Sequence, residues 1–383
     1  MGAHDSEPRD RAEWMLRPLF RDYQVLEFKG GTIFRGPASA YCQRHRQEVE
    51  EGLARLPGAY CFEQWEGTTY LNYTLPGPGA KRVNHALHVG LFAATVFTTL
   101  VAGADWRLDQ FLSELGGSLA GLAESMSLGE LFTLLLTKGG PFSVAILLIF
   151  GAHEFGHYAM ARRYGMLVTP PFFLPGPPPF PPFGTFGAII KIRSPMMHRR
   201  ALLDIGLAGP VGGLLFAFPI LIYGLLHSSF EVIRYWEPGG TLRFGNSLLT
   251  WGLTRLLVGA PPPGYALDWM GNPFVWAGWL GLLVTALNLI PVGQLDGGHV
   301  AYALLGRGQR LLAYFAFGVL LALALRFQPW VVWCVVMALW MRPAHPPVVV
   351  DGACLGLGRR VVGWAAMVLL VLVFMPAPVV GLE

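Results

Sequence analysis

Along the first 84 positions, apolar residues recur at strand spacing, then helix spacing, then strand spacing again. YQVLEFKGGTIFR (23–35) alternates around Gly30-Gly31 and predicts two short strands in a hairpin. ASAYCQRHRQEVEEGLARL (38–56) has helix-forming composition and stops at Pro57-Gly58. AYCFEQWEGTTYLNYTL (59–75) alternates aromatics around Glu66-Gly67 and predicts a second hairpin. The expected module is ββαββ, ended by Gly77-Pro78-Gly79.

Beyond residue 84 the pattern changes to long apolar runs. Spans are predicted at 85–104, 141–164 and 201–225, in a long stretch at 273–305 broken at its middle, and near 311–325, 329–341 and 361–379. Six to eight spans cover the range. The run 113–137 reads as an amphipathic helix lying along a membrane surface. Between 165 and 195 eight prolines from Pro170 to Pro182 forbid a regular helix, and GTFGAIIKI (184–192) reads as a short strand. The fold class expected is a polytopic α-helical membrane protein carrying a small amino-terminal α+β domain. Its domains are a module at 1–84 and a membrane domain at 85–383.

Composition agrees with that division. Of 383 residues, 53% are hydrophobic and 14% charged, and the first 84 positions hold 11 of the 28 Lys/Arg and 11 of the 24 Asp/Glu. Lys81-Arg82, Arg162-Arg163, Arg199-Arg200 and Arg307/Arg310 flank apolar runs, whereas acidic residues dominate 105–130. The positive-inside bias then places the amino terminus, and the basic end of the second span, in the cytoplasm. No basic cluster with interleaved aromatics calls for nucleic acid. The four cysteines form no C-x-x-C pair and read as unpaired thiols. A charged start gives no sign of a cleavable signal peptide.

One run then departs from the apolar pattern. LLIFGAHEFGHYAMARRYG (147–165) carries two histidines and a glutamate where a bilayer would be entered, at a cost of several kcal/mol, on the order of 3 or more per charged group. Residues four apart share a helix face, so His153 and His157 can reach one ion, with Glu154 placed to take a proton from water. Catalytic zinc takes three protein ligands and keeps a fourth position open. The competing reading is a polar patch lining a water cavity.

A third ligand must come from downstream. Glu231, Glu237, Asp268 and Glu383 fall on the predicted outer side and Asp351 in a polar inner loop, which leaves Asp204 and Asp296. Asp296 is preferred. Asn288, Pro291 and Gly293 break the span before it and Gly297-Gly298 give the backbone room after it, whereas Asp204 reads as a helix-start carboxylate. His299 reads as a neighbour of the site.

HEFGHY (153–158) with NLIPVGQLDGG (288–298) resembles the site-2 protease family of intramembrane zinc peptidases, and the likeness runs from about Lys81 to the carboxyl end. It implies His153, His157 and Asp296 as zinc ligands, Glu154 as general base, and Asn288 as a group holding substrate or oxyanion. It also implies substrates that are membrane proteins with a transmembrane helix. Many members insert a PDZ domain between core spans; no insertion of that size is apparent here. From the strand-like run, a substrate clamp at Gly184, Phe186 and Gly187 is expected, competing with a plain re-entrant loop. A non-catalytic membrane binding protein retaining the fold is the alternative function. A glutamate-ligand metalloprotease lacks its downstream helix motif, and a transporter would be expected to have paired half-repeats.

Overall fold

The computed structural model describes residues 7–77, 83–115, 127–176, 183–228, 230–232, 242–263, 265–267, 271–340, 343–350 and 355–381. Contacts divide the chain into two compact units. The first comprises 1–85, 158–170 and 190–197, and the second 86–157, 171–189 and 198–383.

The first unit opens with a helix that the hydrophobic pattern did not reveal, α1 (Glu7–Leu16). The two hairpins follow as read: β1 (Gln24–Phe28) with β2 (Gly31–Pro37), then β3 (Ala59–Trp65) with β4 (Thr68–Pro76). Between them the helical stretch is split at His45 into α2 (Ala40–Arg44) and α3 (Arg46–Ala54). Ser39 starts α2 by accepting a 3.1 Å bond from the Cys42 amide, as a good N-cap does. The second hairpin turns at Glu66 and Gly67, both at positive φ, the geometry that matches the twist of paired strands.

The sheet order is β1-β2-β4-β3, all antiparallel, so β2 and β4 are its central strands. Leu16, Phe34, Val49, Leu53, Leu71 and Tyr73 fill one core beneath it. On β4, however, Asn72 and Thr74 are buried as well as Leu71 and Tyr73, so both faces are covered. Residues 158–170 and 190–197 fold with this unit. There, Thr74 donates to the Gly165 carbonyl at 3.2 Å, and Val168 bridges Ile192 in antiparallel fashion.

The second unit is mostly helical. It contains α4 (His85–Leu115), α5 (Leu128–Leu134), α6 (Gly140–Arg163, the part up to His157), and α7 (Arg199–Leu226). Then come α8 (Leu248–Leu257), α9 (Pro273–Asn288), α10 (Asp296–Leu305), α11 (Gln309–Ala324), α12 (Pro329–Trp340) and α13 (Leu357–Val373). Among the described residues three helical stretches are long and apolar enough to cross a membrane: His85–Ala104, Leu128–Arg163 and Arg199–Leu226. Pro273–Asn288 and Trp330–Leu339 are shorter apolar helices.

One expectation is revised here. The surface helix predicted at 113–137 is not a separate element where it is described; residues 116–126 lie outside the described set. A Ser127–Glu130 capping box starts α5, which passes through a π turn at Leu135–Gly139 directly into α6. With its helical hydrogen bonds unbroken, the segment joins the second long apolar stretch. Lys81 and Arg82, which contributed to the predicted orientation, also fall outside the described residues.

α7 packs most extensively on α9 and next on α10. Phe142, Ile146, Ile149, Leu221, Trp276 and Trp279 belong to the main core, with the two indoles stacked 5.3 Å apart. The long fourth stretch is interrupted between α9 and α10, and much of that irregular segment is buried, Leu289, Ile290 and Val292 included, while Gln294 is exposed. Buried irregular backbone of this kind is the form a membrane domain tolerates.

The first unit carries two thiols that test its packing. Burial raises the Cys42 thiol and pushes that of Cys61 up to about 12. A polar maleimide at neutral pH should therefore leave both unlabelled in native protein and label both after denaturation, as read by mass spectrometry. Equal labelling in the two states would mean that this core is open.

Candidate metal centre

The site begins with the period of α6. His153 and His157 lie one turn apart and present their rings to the same point, with Nε2 atoms 3.2 Å apart. Asp296, the first residue of α10, enters from the other side of the broken segment. Its Oδ1 lies 3.2 Å from His157 Nε2 and its Oδ2 3.3 Å from His153 Nε2. All three residues are less than 10% exposed, and their ligand atoms lie within 4.8 Å of one another.

The proton inventory decides what this cluster can hold. His157 Nδ1 stands 2.8 Å from the Ile205 carbonyl, which can only accept. Nδ1 therefore carries the hydrogen, and in the neutral ring Nε2 is a bare lone pair. That lone pair faces a second imidazole nitrogen and a carboxylate at about 3.2 Å. Asp296 Oδ2 is fully buried and has no regular hydrogen bond. Acceptors brought this close in a buried place repel unless a proton or a cation lies among them. Zinc bonds of about 2.0–2.1 Å at tetrahedral angles separate ligand atoms by about 3.3–3.4 Å, close to the spacings found. Two imidazoles and one carboxylate form a donor set that suits zinc, so the residues fit the ion.

Close helix approach makes the arrangement possible. AGPVGG (208–213) on α7 lies against α6, and the reason is steric. A Cβ placed on Gly209 would fall 2.0 Å from His157 Nε2, and one on Gly212 would fall 2.5 Å from the Ala152 carbonyl. Any side chain at 209 would occupy the space of the imidazole. On the opposite side, a Cβ on Gly297 would strike the Leu289 carbonyl, so the glycine lets the broken segment fold tightly over the start of α10.

The remaining sequence candidates sort themselves by partner. Glu154 Oε1 is 4.0 Å from His153 Nε2, and the Asn288 amide nitrogen, at the end of α9, is 3.3 Å from the same atom. Asp204 turns away into a bidentate pair with Arg359, at 2.8 and 2.9 Å, and is no part of the cluster. His299 bonds His345 at 2.7 Å instead of joining the ligand set. Gly184, Phe186 and Gly187 lie on the hairpin of β5 (Phe172–Pro175) and β6 (Thr185–Ile189), apart from the metal residues. That hairpin rests on α4 and α6. Phe173 meets Phe92 edge-on at 5.0 Å, and its ring would touch a Cβ at Gly151, two residues before His153. Prolines 177–182 lie outside the described residues. The Ile205 carbonyl went unread because a backbone acceptor leaves no mark in a sequence; Gln309 and His345 are taken up below.

Residues 141–325 match the model of peptidase family M50. The chain is 34% identical over 174 residues to "Probable zinc metalloprotease EGY2, chloroplastic" of Arabidopsis thaliana, covering 45% of this chain and 30% of that protein. It is 33% identical over 216 residues to the protein of the same name from Oryza sativa subsp. indica, covering 56% and 35%. A third relative, "Probable zinc metalloprotease EGY1, chloroplastic" of Oryza sativa subsp. japonica, is 29% identical over 318 residues, covering 79% and 52%. The chain thus spans about a third to a half of the length of these curated relatives. No solved structure matches the chain.

Replacing Gly209 by alanine should weaken zinc binding at least about tenfold, measured by chelator competition, because the added methyl displaces the His157 ring. Gly252→Ala, where nothing lies within 4 Å, should bind as wild type does. Equal affinity in the two variants would contradict the steric account.

Proposed function

From the match of residues 141–325 to the model of peptidase family M50, we propose that the chain is an intramembrane zinc endopeptidase. It hydrolyses peptide bonds within or near transmembrane segments of membrane proteins, in the manner of regulated intramembrane proteolysis. The observation that carries this reading is the convergence of two imidazoles and a carboxylate beside Glu154 in apolar helices.

His153, His157 and Asp296 would hold the ion. Bound there, zinc supplies Lewis acidity that brings water's pKa down to about 7. Glu154, one residue from the first ligand, takes the water's proton as the attack on the scissile carbonyl proceeds. It then returns that proton to the departing amine, whose nitrogen must be neutralised for the C–N bond to break. The Asn288 amide, next to His153, donates to the developing oxyanion or to the substrate backbone. The Ile205 carbonyl keeps the His157 ring in one tautomer and orientation throughout.

A peptide bond in a transmembrane helix is shielded by its own hydrogen bonds, so the substrate must be drawn into an extended form before it is cut. β6 suits that task. Among the described residues it is paired on one side only, by β5, and its other edge can accept an added strand. The Thr185 hydroxyl, buried and bonded to the Leu174 carbonyl at 2.8 Å, holds the hairpin firm, while Phe186 stands exposed. The membrane domain makes six to eight passes, with the amino terminus and the opening of the site on the cytoplasmic side. The 24-residue helix α6 ends on Arg162 and Arg163, as that orientation requires.

Two experiments test the proposal on protein purified in detergent with a single-span model substrate. Glu154→Gln should retain one zinc per chain and lose cleavage by at least about a hundredfold, the usual scale for a general base. Undiminished cleavage would remove Glu154 from that role, and a wild type that binds zinc but never cuts would favour a binding protein. Separately, Ile189→Pro together with Phe186→Pro should cut far more slowly while zinc content is unchanged. Wild-type rates in a folded, zinc-loaded variant would reject strand addition.

A further inference from the structure

The third ligand hangs on a segment that has left the helical hydrogen-bond pattern; local turns replace part of it, and further bonds come from far along the chain. Pro291 has no amide hydrogen and exposes its carbonyl inside the protein. Gln309, the first residue of α11 and 1% exposed, donates from Nε2 to the Pro291 carbonyl and to the Pro343 carbonyl, each at 3.2 Å. Its Oε1 accepts from the His345 amide at 3.0 Å. The Pro343 carbonyl also receives the Gly293 amide at 3.0 Å. One buried glutamine thus ties Pro291 to Pro343 and His345 through both polar atoms of its side chain, and the Gly293 amide adds a direct bond to the same segment.

The same tie continues past the ligand. His345 Nδ1 faces the Pro346 carbonyl, which only accepts, so that nitrogen carries the hydrogen. In the neutral ring its Nε2 is then the acceptor for His299 Nδ1–H, at 2.7 Å. His299 lies three residues beyond Asp296 on α10, about one turn along. The segment 343–346 therefore grips the chain on both sides of Asp296, before it through Gly293 directly and Pro291 by way of Gln309, and after it through His299.

We infer that Gln309 and His345 are positioning residues that fix the register of the broken segment and so hold the Asp296 carboxylate facing His153 and His157. Neither residue touches the ion; each acts through the ligand's backbone and helix. The inference rests on the reading of His153, His157 and Asp296 as a zinc site. Outer partners of this kind orient ligands, and their loss typically costs about 10–100-fold in metal affinity.

The test uses full-length protein in detergent and reads three quantities: zinc affinity by chelator competition, the visible spectrum of the cobalt(II)-substituted protein, and the thermal midpoint. Gln309→Leu and His345→Leu should each bind zinc about 10–100-fold more weakly, with an altered cobalt spectrum. His345→Gln, whose side-chain oxygen can still accept from His299, should recover most of the affinity and the wild-type spectrum. If Gln309→Leu does not fold, the two His345 variants decide the matter. Wild-type zinc affinity and cobalt spectrum in the leucine variants, even with a lowered thermal midpoint, would overturn the inference and leave the zinc site standing. A wild type that takes up no zinc would instead sink the site itself.

Discussion

Three electron-pair donors held a little over 3 Å apart in a largely apolar interior set the terms for everything else in the second unit. Without a cation or a shared proton among them, the two imidazole nitrogens and the carboxylate there would repel one another and lack solvation. Bringing them together demands helices that approach more closely than ordinary side chains permit. α7 meets that demand with glycines where it faces α6, and α10 begins with two more glycines where the broken segment folds back. Small residues and a polar cluster are therefore one design: the first creates the space that the second occupies.

Breaking a long apolar helical stretch frees backbone groups, and the chain satisfies several of them from within. Leu289, Ile290 and Val292 bury their side chains, while carbonyls at 291 and 343 are met by the amide of Gln309. Much of the irregular backbone is thereby enclosed, and its position becomes a property of the surrounding protein. Asp296 inherits a defined place from that enclosure. Its carboxylate comes from a helix start, where the partial positive charge of the terminus also favours an anion.

Much of this was legible in the residues themselves. The Gly30-Gly31 and Glu66-Gly67 turns and the intervening helical composition foretold the hairpins of the first unit, because turn chemistry and strand alternation are local. The four-residue spacing of His153 and His157, and the helix-breaking set from Asn288 to Gly298, pointed to the cluster. Contacts that depend on tertiary approach left weaker traces. α1 was hidden by its charged composition, and the π turn at Leu135–Gly139 joined two segments that hydropathy alone had separated. The pairing of Asp204 with Arg359 joins residues 155 positions apart and could not be read locally. Gln309 stands in sequence as one polar residue before an apolar helix, and only the folded chain gives it three partners.

The most direct measurement is zinc K-edge X-ray absorption on purified full-length protein. The account predicts one zinc per chain with two imidazole nitrogens, the remaining shell being oxygen, and no sulfur scatterer. A well-folded preparation without zinc, or a spectrum that requires cysteine sulfur or only one imidazole, would contradict it.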